Sequence, residues 1–144
     1  MSTLLDASRT KKSLEVNVPK TITCSKDAYH YFIDVLTDLT HEEFWILLLN
    51  QGNKIIGKNK ISEGGISVTT ADPRKIFKAA IEKLASGIIL CHNHPSGNIK
   101  PSDADIKLTR KLCDAARLID LQITDHIIFC ETTNFSFRDE GLLG

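Results

Sequence analysis

Residues 91–105 read CHNHPSGNIKPSDAD and gather four side chains able to do chemistry: His92, His94, Ser102 and Asp105. In an extended chain, side chains two apart point to the same face, so His92 and His94 can offer two imidazoles to one ion without backbone strain. Zinc favours such ligands, and its catalytic sites combine three protein ligands with one open position. Ser102-x-x-Asp105 has the form of a helix capping box with Asp in place of Glu. In that arrangement Ser102 fixes the first turn while Asp105 points back towards the histidines as a third donor. Pro95, Gly97 and Pro101 stiffen the intervening loop. An H-x-H pair alone, or a helix cap alone, is ordinary turn chemistry. Their combination keeps a metal-bound reaction centre open beside that plainer reading.

The elements around this stretch must position it. GIILC (87–91) is an apolar run too short for a core helix. It reads as a buried strand that ends where the motif begins, and α/β proteins bind ligands at the carboxyl ends of strands. FWILLLN (44–50) is a second buried strand, QGN (51–53) a turn, and KIIGKNKISEG (54–64) the returning strand. LEVNV (14–18), ISV (66–68) and LQITDHIIFC (121–130) complete the strands, and 131–134 is a turn before the closing FSFRDEGLLG. Helical spacing of Tyr29, Phe32, Ile33, Leu36 and Leu39 follows Ser25 as N-cap. Asp72-Pro73 opens a helix running to about Leu84, with Ile76, Phe77, Ala80, Ile81 and Leu84 on one face. Ser102 opens another, carrying Ile106, Leu108, Leu112, Cys113, Ala116 and Ile119. This alternation predicts a single α/β domain over 14–144, a mixed sheet flanked by helices, after a flexible arm at 1–13.

The bulk composition excludes more than it identifies. Of 144 residues, 42% are hydrophobic and 25% charged, an ordinary globular balance. Eighteen basic residues match eighteen acidic ones, which removes any strong electrostatic case for nucleic acid or an anionic membrane. No apolar run approaches the roughly 18–20 residues needed to span a bilayer, and the N-terminus lacks a signal-peptide pattern. Cys24, Cys91, Cys113 and Cys130 are scattered with no C-x-x-C, so they read as reduced, mostly buried thiols of a cytoplasmic protein.

The pattern H-x-H-x7-S-x2-D formed by His92, His94, Ser102 and Asp105 resembles the metal signature of the JAMM (MPN-plus, JAB) metalloproteases, position for position. The surrounding CHNHPSGNIKPSDADIKLTRKL, LIDLQITDHIIF and FSFRDEGLL resemble the bacterial RadC-like branch, and the resemblance runs from about residue 18 to the end. It implies a JAB/MPN-like fold, whose layout is related to that of the zinc deaminases. It implies one Zn2+ held by His92, His94 and Asp105, water in the fourth position, and Ser102 as donor to an oxyanion. It also implies an upstream glutamate as general acid/base. HEEFWILLL supplies Glu42, which fits the register better, and Glu43 as the alternative. The implied reaction is hydrolysis of a peptide or isopeptide bond in an unknown protein or peptide, in a family whose sites are often masked until a partner opens them. Long RadC-like proteins also carry an N-terminal segment similar to a helix-hairpin-helix module. Some twenty residues precede the resembling region here, which weakens a DNA-repair role.

Other readings compete less well. His92-Asn93-His94 repeats the letters of an HNH nuclease without its longer hairpin, and the zinc deaminases need a Pro-Cys-x-x-Cys pair that is missing here. A Ser96/His126/Asp125 triad would need a G-x-S-x-G elbow, also missing. Asp125-His126 reads as a polar pair shaping the sheet edge, with support of the metal site as its second reading. Trp45 reads as core packing or a roof over the cleft. His30 and His41 carry no assigned role. Lys107, Arg110, Lys111 and Arg117 form a solvated helix face, with weak phosphate contact the alternative. The other function class is a protein-interaction or DNA-repair-associated module that keeps zinc for structure.

Overall fold

The apolar run at 44–49 forms strand β1 (Glu43–Leu49), buried throughout except at Trp45. In the computed structural model, which describes residues 20–64 and 71–144, β1 belongs to a five-stranded mixed sheet. The other strands are β2 (Ile55–Glu63), β3 (Gly87–Asn93), β4 (Gln122–Phe129) and β5 (Asn134–Ser136). Their order is β2-β1-β3-β4-β5; β3 and β4 run parallel and every other neighbouring pair is antiparallel. The expected arm at 1–13 and the strands at 14–18 and 66–68 lie outside the described residues. The β1–β2 turn is closed by Asn50, whose Oδ1 accepts from the Gly52 and Lys54 N–H groups at 3.0 and 2.9 Å.

Three helices flank this sheet among the described residues: α1 (Ser25–Leu36), α2 (Pro73–Glu82) and α3 (Asp103–Leu118). Strand alternation divides the core between them. Ala28, Phe32 and Leu36 of α1 pack on Leu47, Leu49, Ile89 and Cys91. On the opposite face, Ile76 and Ala80 of α2 and Leu112 and Ala116 of α3 pack on Phe44, Ile46, Leu48, Ile88 and Leu90. Both faces are covered, which is why β1 and β3 read as continuous apolar runs rather than alternating ones. Phe32 is fully buried, so its truncation to Ala would remove about 3–5 kcal/mol. The apolar stripe predicted for α2 is narrower than expected, since Ile81 and Leu84 are exposed.

The helix starts follow local chemistry with one correction. Asp72 accepts from the Arg74 N–H at 2.9 Å with Pro73 in the first turn, as predicted. At α1 the N-cap is Cys24, not Ser25, and no side chain caps it. The Ser25 hydroxyl donates instead to Asp139 from the far end of the chain. The Asp27 carboxylate accepts from both the N–H and the hydroxyl of Thr23, at 2.8 Å each. Cys24 is exposed rather than buried, while Cys91, Cys113 and Cys130 are buried and unpaired.

A bulge between β3 and β4 matters for the site. Their register passes from Ile88 opposite Ile123 to Ile89 opposite Asp125, leaving Thr124 as the extra residue. Gly87 makes room for it: a Cβ there would sit 2.8 Å from Thr124 Oγ1. The bulge shifts the phase of β4. Ile123 packs on the α2/α3 side, whereas Ile127 and Phe129 pack on the α1 side.

Candidate metal centre

Strand β3 continues two residues past the predicted GIILC segment and carries His92 into the fold. His92 shares a face with Ile88 and Leu90, is 3% exposed, and stacks on Phe44 with ring centroids 5.5 Å apart. His94 lies just beyond, its N–H bonded to the Phe129 carbonyl at 3.2 Å. The loop then folds back through Gly97, whose φ of 86° suits glycine. That turn brings the Asn98 carbonyl to His94 Nδ1 at 2.6 Å. Ser102 caps α3 in a reciprocal box: its Oγ accepts from the Asp105 N–H at 3.0 Å, and Asp105 Oδ2 accepts from the Ser102 N–H at 2.9 Å. The cap therefore aims the Asp105 carboxylate back at the strand end. Its oxygens lie 3.4 Å from His92 Nε2 and 3.6 Å from His94 Nε2, and the two Nε2 atoms are 3.0 Å apart. One donor atom from each of the three residues falls within a 4.8 Å cluster.

Electrostatics suit a cation at this point. Burial pushes the Asp105 carboxyl up, but the facing His92 and His94 rings outweigh it and hold the group well below its ordinary range. Asp105 in turn raises the His94 pKa against the opposing effect of burial, with the Asn98 carbonyl and Glu42 adding to it. Two imidazole nitrogens and a carboxylate thus offer three donor atoms to one cation. The spacing also fits: four ligands at about 2.05 Å around a tetrahedral zinc would stand roughly 3.3 Å apart. Imidazole and carboxylate donors accept other first-row divalent ions as well.

A cleft of about 400 Å³ opens over the cluster, lined by Glu42, His94, Ser96, Asn98, Lys100, Pro101, Ser102 and Asp105. Glu42 and Glu43 separate across the sheet. Glu42 is half-buried on the cleft wall, and its carbonyl accepts from the Gly64 N–H at 2.9 Å. The buried Glu43 carboxylate accepts from Trp45 Nε1 at 2.9 Å and contacts His41 Nε2 at 2.9 Å. His41, Glu43 and Glu63 form a second close group. There the donors are already occupied with one another, and Lys60 Nζ stands 3.5 Å from Glu63.

Residues 22–142 match the RadC-like JAB domain. The chain belongs to this family. It is 45% identical over 138 residues to a UPF0758 protein of Flavobacterium johnsoniae, covering 96% of this chain and 60% of that relative. A UPF0758 protein of Porphyromonas gingivalis is 47% identical over 140 residues, covering 96% of this chain and 62% of the relative. One from Pelodictyon phaeoclathratiforme is 40% identical over 127 residues, covering 88% and 57%. The chain thus spans about three fifths of the length of these curated relatives.

In this RadC-like domain Asn93, His126 and Thr109 brace the site. Asn93 Oδ1 accepts from the Glu43 N–H at 2.8 Å, and Asn93 Nδ2 donates to the His41 carbonyl at 3.0 Å. Those bonds fix the backbone on both sides of Glu42. His126, fully buried, places Nε2 2.9 Å from His92 Nδ1 and Nδ1 2.6 Å from Thr109 Oγ1. Burial holds the His126 pKa well below its ordinary value. The Asp125-His126 pair splits between its two sequence readings. His126 backs the cluster, whereas Asp125 faces away and ties down β5 and the following turn, accepting from the Ser136 hydroxyl at 2.7 Å and the Arg138 N–H at 3.0 Å. The Ser96 triad is absent, because the ring nitrogens of His126 are taken by His92 and Thr109. Trp45 packs in the α1-side core beside Phe32 and does not line the cleft. Lys107, Arg110, Lys111 and Arg117 are all exposed on α3.

Proposed function

We propose that this RadC-like domain is a zinc-dependent hydrolase of a peptide or isopeptide bond. One observation carries the reading: His92, His94 and Asp105 converge beneath a cleft whose wall also holds Glu42 and Ser102. A structural zinc site is normally closed by four protein ligands. Three donors under an open cleft suit the alternative, an interaction module with structural zinc, less well. Zinc bound there would supply a Lewis acid that acidifies water and polarises a carbonyl.

The chain's own residues account for the remaining chemistry. The Glu42 carboxylate accepts the proton of the attacking water and returns it to the leaving amine nitrogen. Ser102 Oγ already accepts from the Asp105 N–H, so its hydroxyl proton is available to an oxyanion forming in the cleft. Asp105, held ionised, keeps the centre anionic enough to retain a cation. The substrate is a protein or peptide whose chain can enter an open surface cleft. Nucleic-acid association is at most weak, given the balanced charge. Among the described residues no helix is long and apolar enough to cross a membrane, and we place the protein in the cytoplasm.

Metal content per chain by plasma mass spectrometry, on protein purified without chelator or histidine tag, is the direct test. Near-stoichiometric zinc that is lost in His94→Ala supports the reading, and a folded protein that refuses added zinc refutes it. Against peptide and isopeptide libraries, Glu42→Gln should keep zinc and fold while losing turnover. Surviving turnover would remove Glu42 from the acid/base role.

A further inference from the structure

The hydrogen-bond chain behind the cluster admits one consistent placement of protons. Thr109 Oγ1 lies 2.7 Å from the Asp105 carbonyl oxygen and 2.6 Å from His126 Nδ1. A carbonyl can only accept, and a hydroxyl has one proton to give. The Thr109 hydroxyl therefore donates to the Asp105 carbonyl and accepts from His126 Nδ1–H. The ring of His126 is fully buried, facing Thr109 on one side and His92 on the other. A cationic ring with only these partners would be costly in the interior, so the ring is neutral and its Nε2 carries a lone pair. His92 Nδ1, 2.9 Å away, must then be the donor. That leaves the lone pair of His92 on Nε2, the atom facing His94 and Asp105.

We propose that Thr109 and His126 are positioning residues that lock His92 in its Nδ1–H tautomer, with the Nε2 lone pair presented to the other two donors. The assignment rests on the metal-centre reading above and deepens it. A neutral histidine in water favours the other tautomer, so this state needs a fixed acceptor behind Nδ1. His94 is oriented by a separate contact, its Nδ1 placed to donate to the Asn98 carbonyl at 2.6 Å. Thr109 also ties two ligands together. One hydroxyl anchors the backbone of Asp105 and, through His126, sets the ring of His92. Partners behind a metal-binding histidine act in this way, and losing one costs about 10–100-fold in metal affinity.

The test uses the metal-free full chain labelled with 15N-histidine, read by long-range proton–nitrogen correlation of the imidazoles. The expected spectrum shows protonated Nδ1 for both His92 and His126, with His126 Nε2 bare. A wild-type His92 with an unprotonated Nδ1 would overturn the proposal, whatever any variant does. Thr109→Val preserves shape and removes the hydroxyl. It should release the His92 tautomer and weaken zinc binding about 10–100-fold in chelator competition, whereas Thr109→Ser should restore both. A folded Thr109→Val with wild-type zinc affinity and an unchanged His92 spectrum overturns the lock. A wild-type protein with the expected tautomers that takes up no zinc supports the lock and sinks the metallohydrolase reading.

Discussion

Replacing Glu43 with Gln separates the two adjacent glutamates without any knowledge of a substrate. Glu43 is 8% exposed, accepts from Trp45 Nε1 at 2.9 Å and meets His41 Nε2 at the same distance. Glutamine keeps one acceptor oxygen but turns an amide donor towards one of those two nitrogens. A hydrogen bond to a charged group contributes about 1.5–3 kcal/mol. The half-exposed His41 ring can turn to recover part of one bond, so the expected loss is about 1–3 kcal/mol. At about 2–4 °C per kcal/mol for a domain of this size, the melting midpoint should fall by roughly 3–10 °C. The pH dependence gives the sign. Burial pushes the Glu43 carboxyl up, but Trp45, His41 and the Lys60 charge outweigh it and hold the group below its ordinary value of 4.5. A carboxyl depressed in the folded state stabilises fully above its unfolded pKa and loses that contribution as pH falls through and below it. The wild type should therefore exceed Glu43→Gln most at neutral pH, and the gap should close below about pH 4.5. Thermal denaturation followed by circular dichroism at neutral and acidic pH measures both. Equal midpoints at neutral pH, or a gap that widens on acidification, would refute the clamp role of Glu43.

Zinc at a hundred times its dissociation constant should stabilise the wild type by about 2.7 kcal/mol, raising the midpoint by roughly 5–10 °C; His94→Ala should show no such shift. Asn93→Leu leaves the His41 carbonyl and the Glu43 N–H without their bracket. It should cost about 2–4 kcal/mol by chemical denaturation while zinc titration still reports one site. Gly87→Ala drives a methyl group against Thr124 at the β4 bulge and should cost about 1–3 kcal/mol. Adding Thr124→Ala should recover part of that loss in a double-mutant cycle.

What the sequence made legible is what local rules decide. The runs at 44–50 and 87–91, too short for core helices, read as buried strands. Asp72-Pro73 and the Ser102/Asp105 box cap their helices through contacts two or three residues away. The same box aims Asp105, so three candidate ligands could be read from fourteen consecutive residues. Ser25 misled because its hydroxyl is claimed by Asp139, 114 residues away. His126 reads first as part of a sheet-edge pair for a different reason. Strict alternation from Ile123 would send His126 to the α1 side, away from His92. The extra residue at Thr124 reverses the phase and turns the ring onto His92. A bulge of that kind leaves only a faint trace in sequence, a glycine on one strand that leaves room for the threonine bulged from its neighbour.

The choice between Glu42 and Glu43 shows how far a register alone can carry a functional reading. Strands β1 and β3 run antiparallel with Phe44 opposite His92 and Trp45 opposite Cys91. Continuing that register sets Glu42 opposite His94, on the face shared by Phe44 and His92 and open to the cleft. Glu43 then falls opposite Asn93, on the other face, where Trp45 and His41 take its carboxylate. Slippage by one residue would exchange the two side chains and take the Glu42 carboxylate out of the cleft. Asn93 opposes that slip directly, since its carboxamide spans the His41 carbonyl and the Glu43 N–H. The middle letter of His92-Asn93-His94 thus sets the phase of the strand opposite, while its neighbours face the cleft.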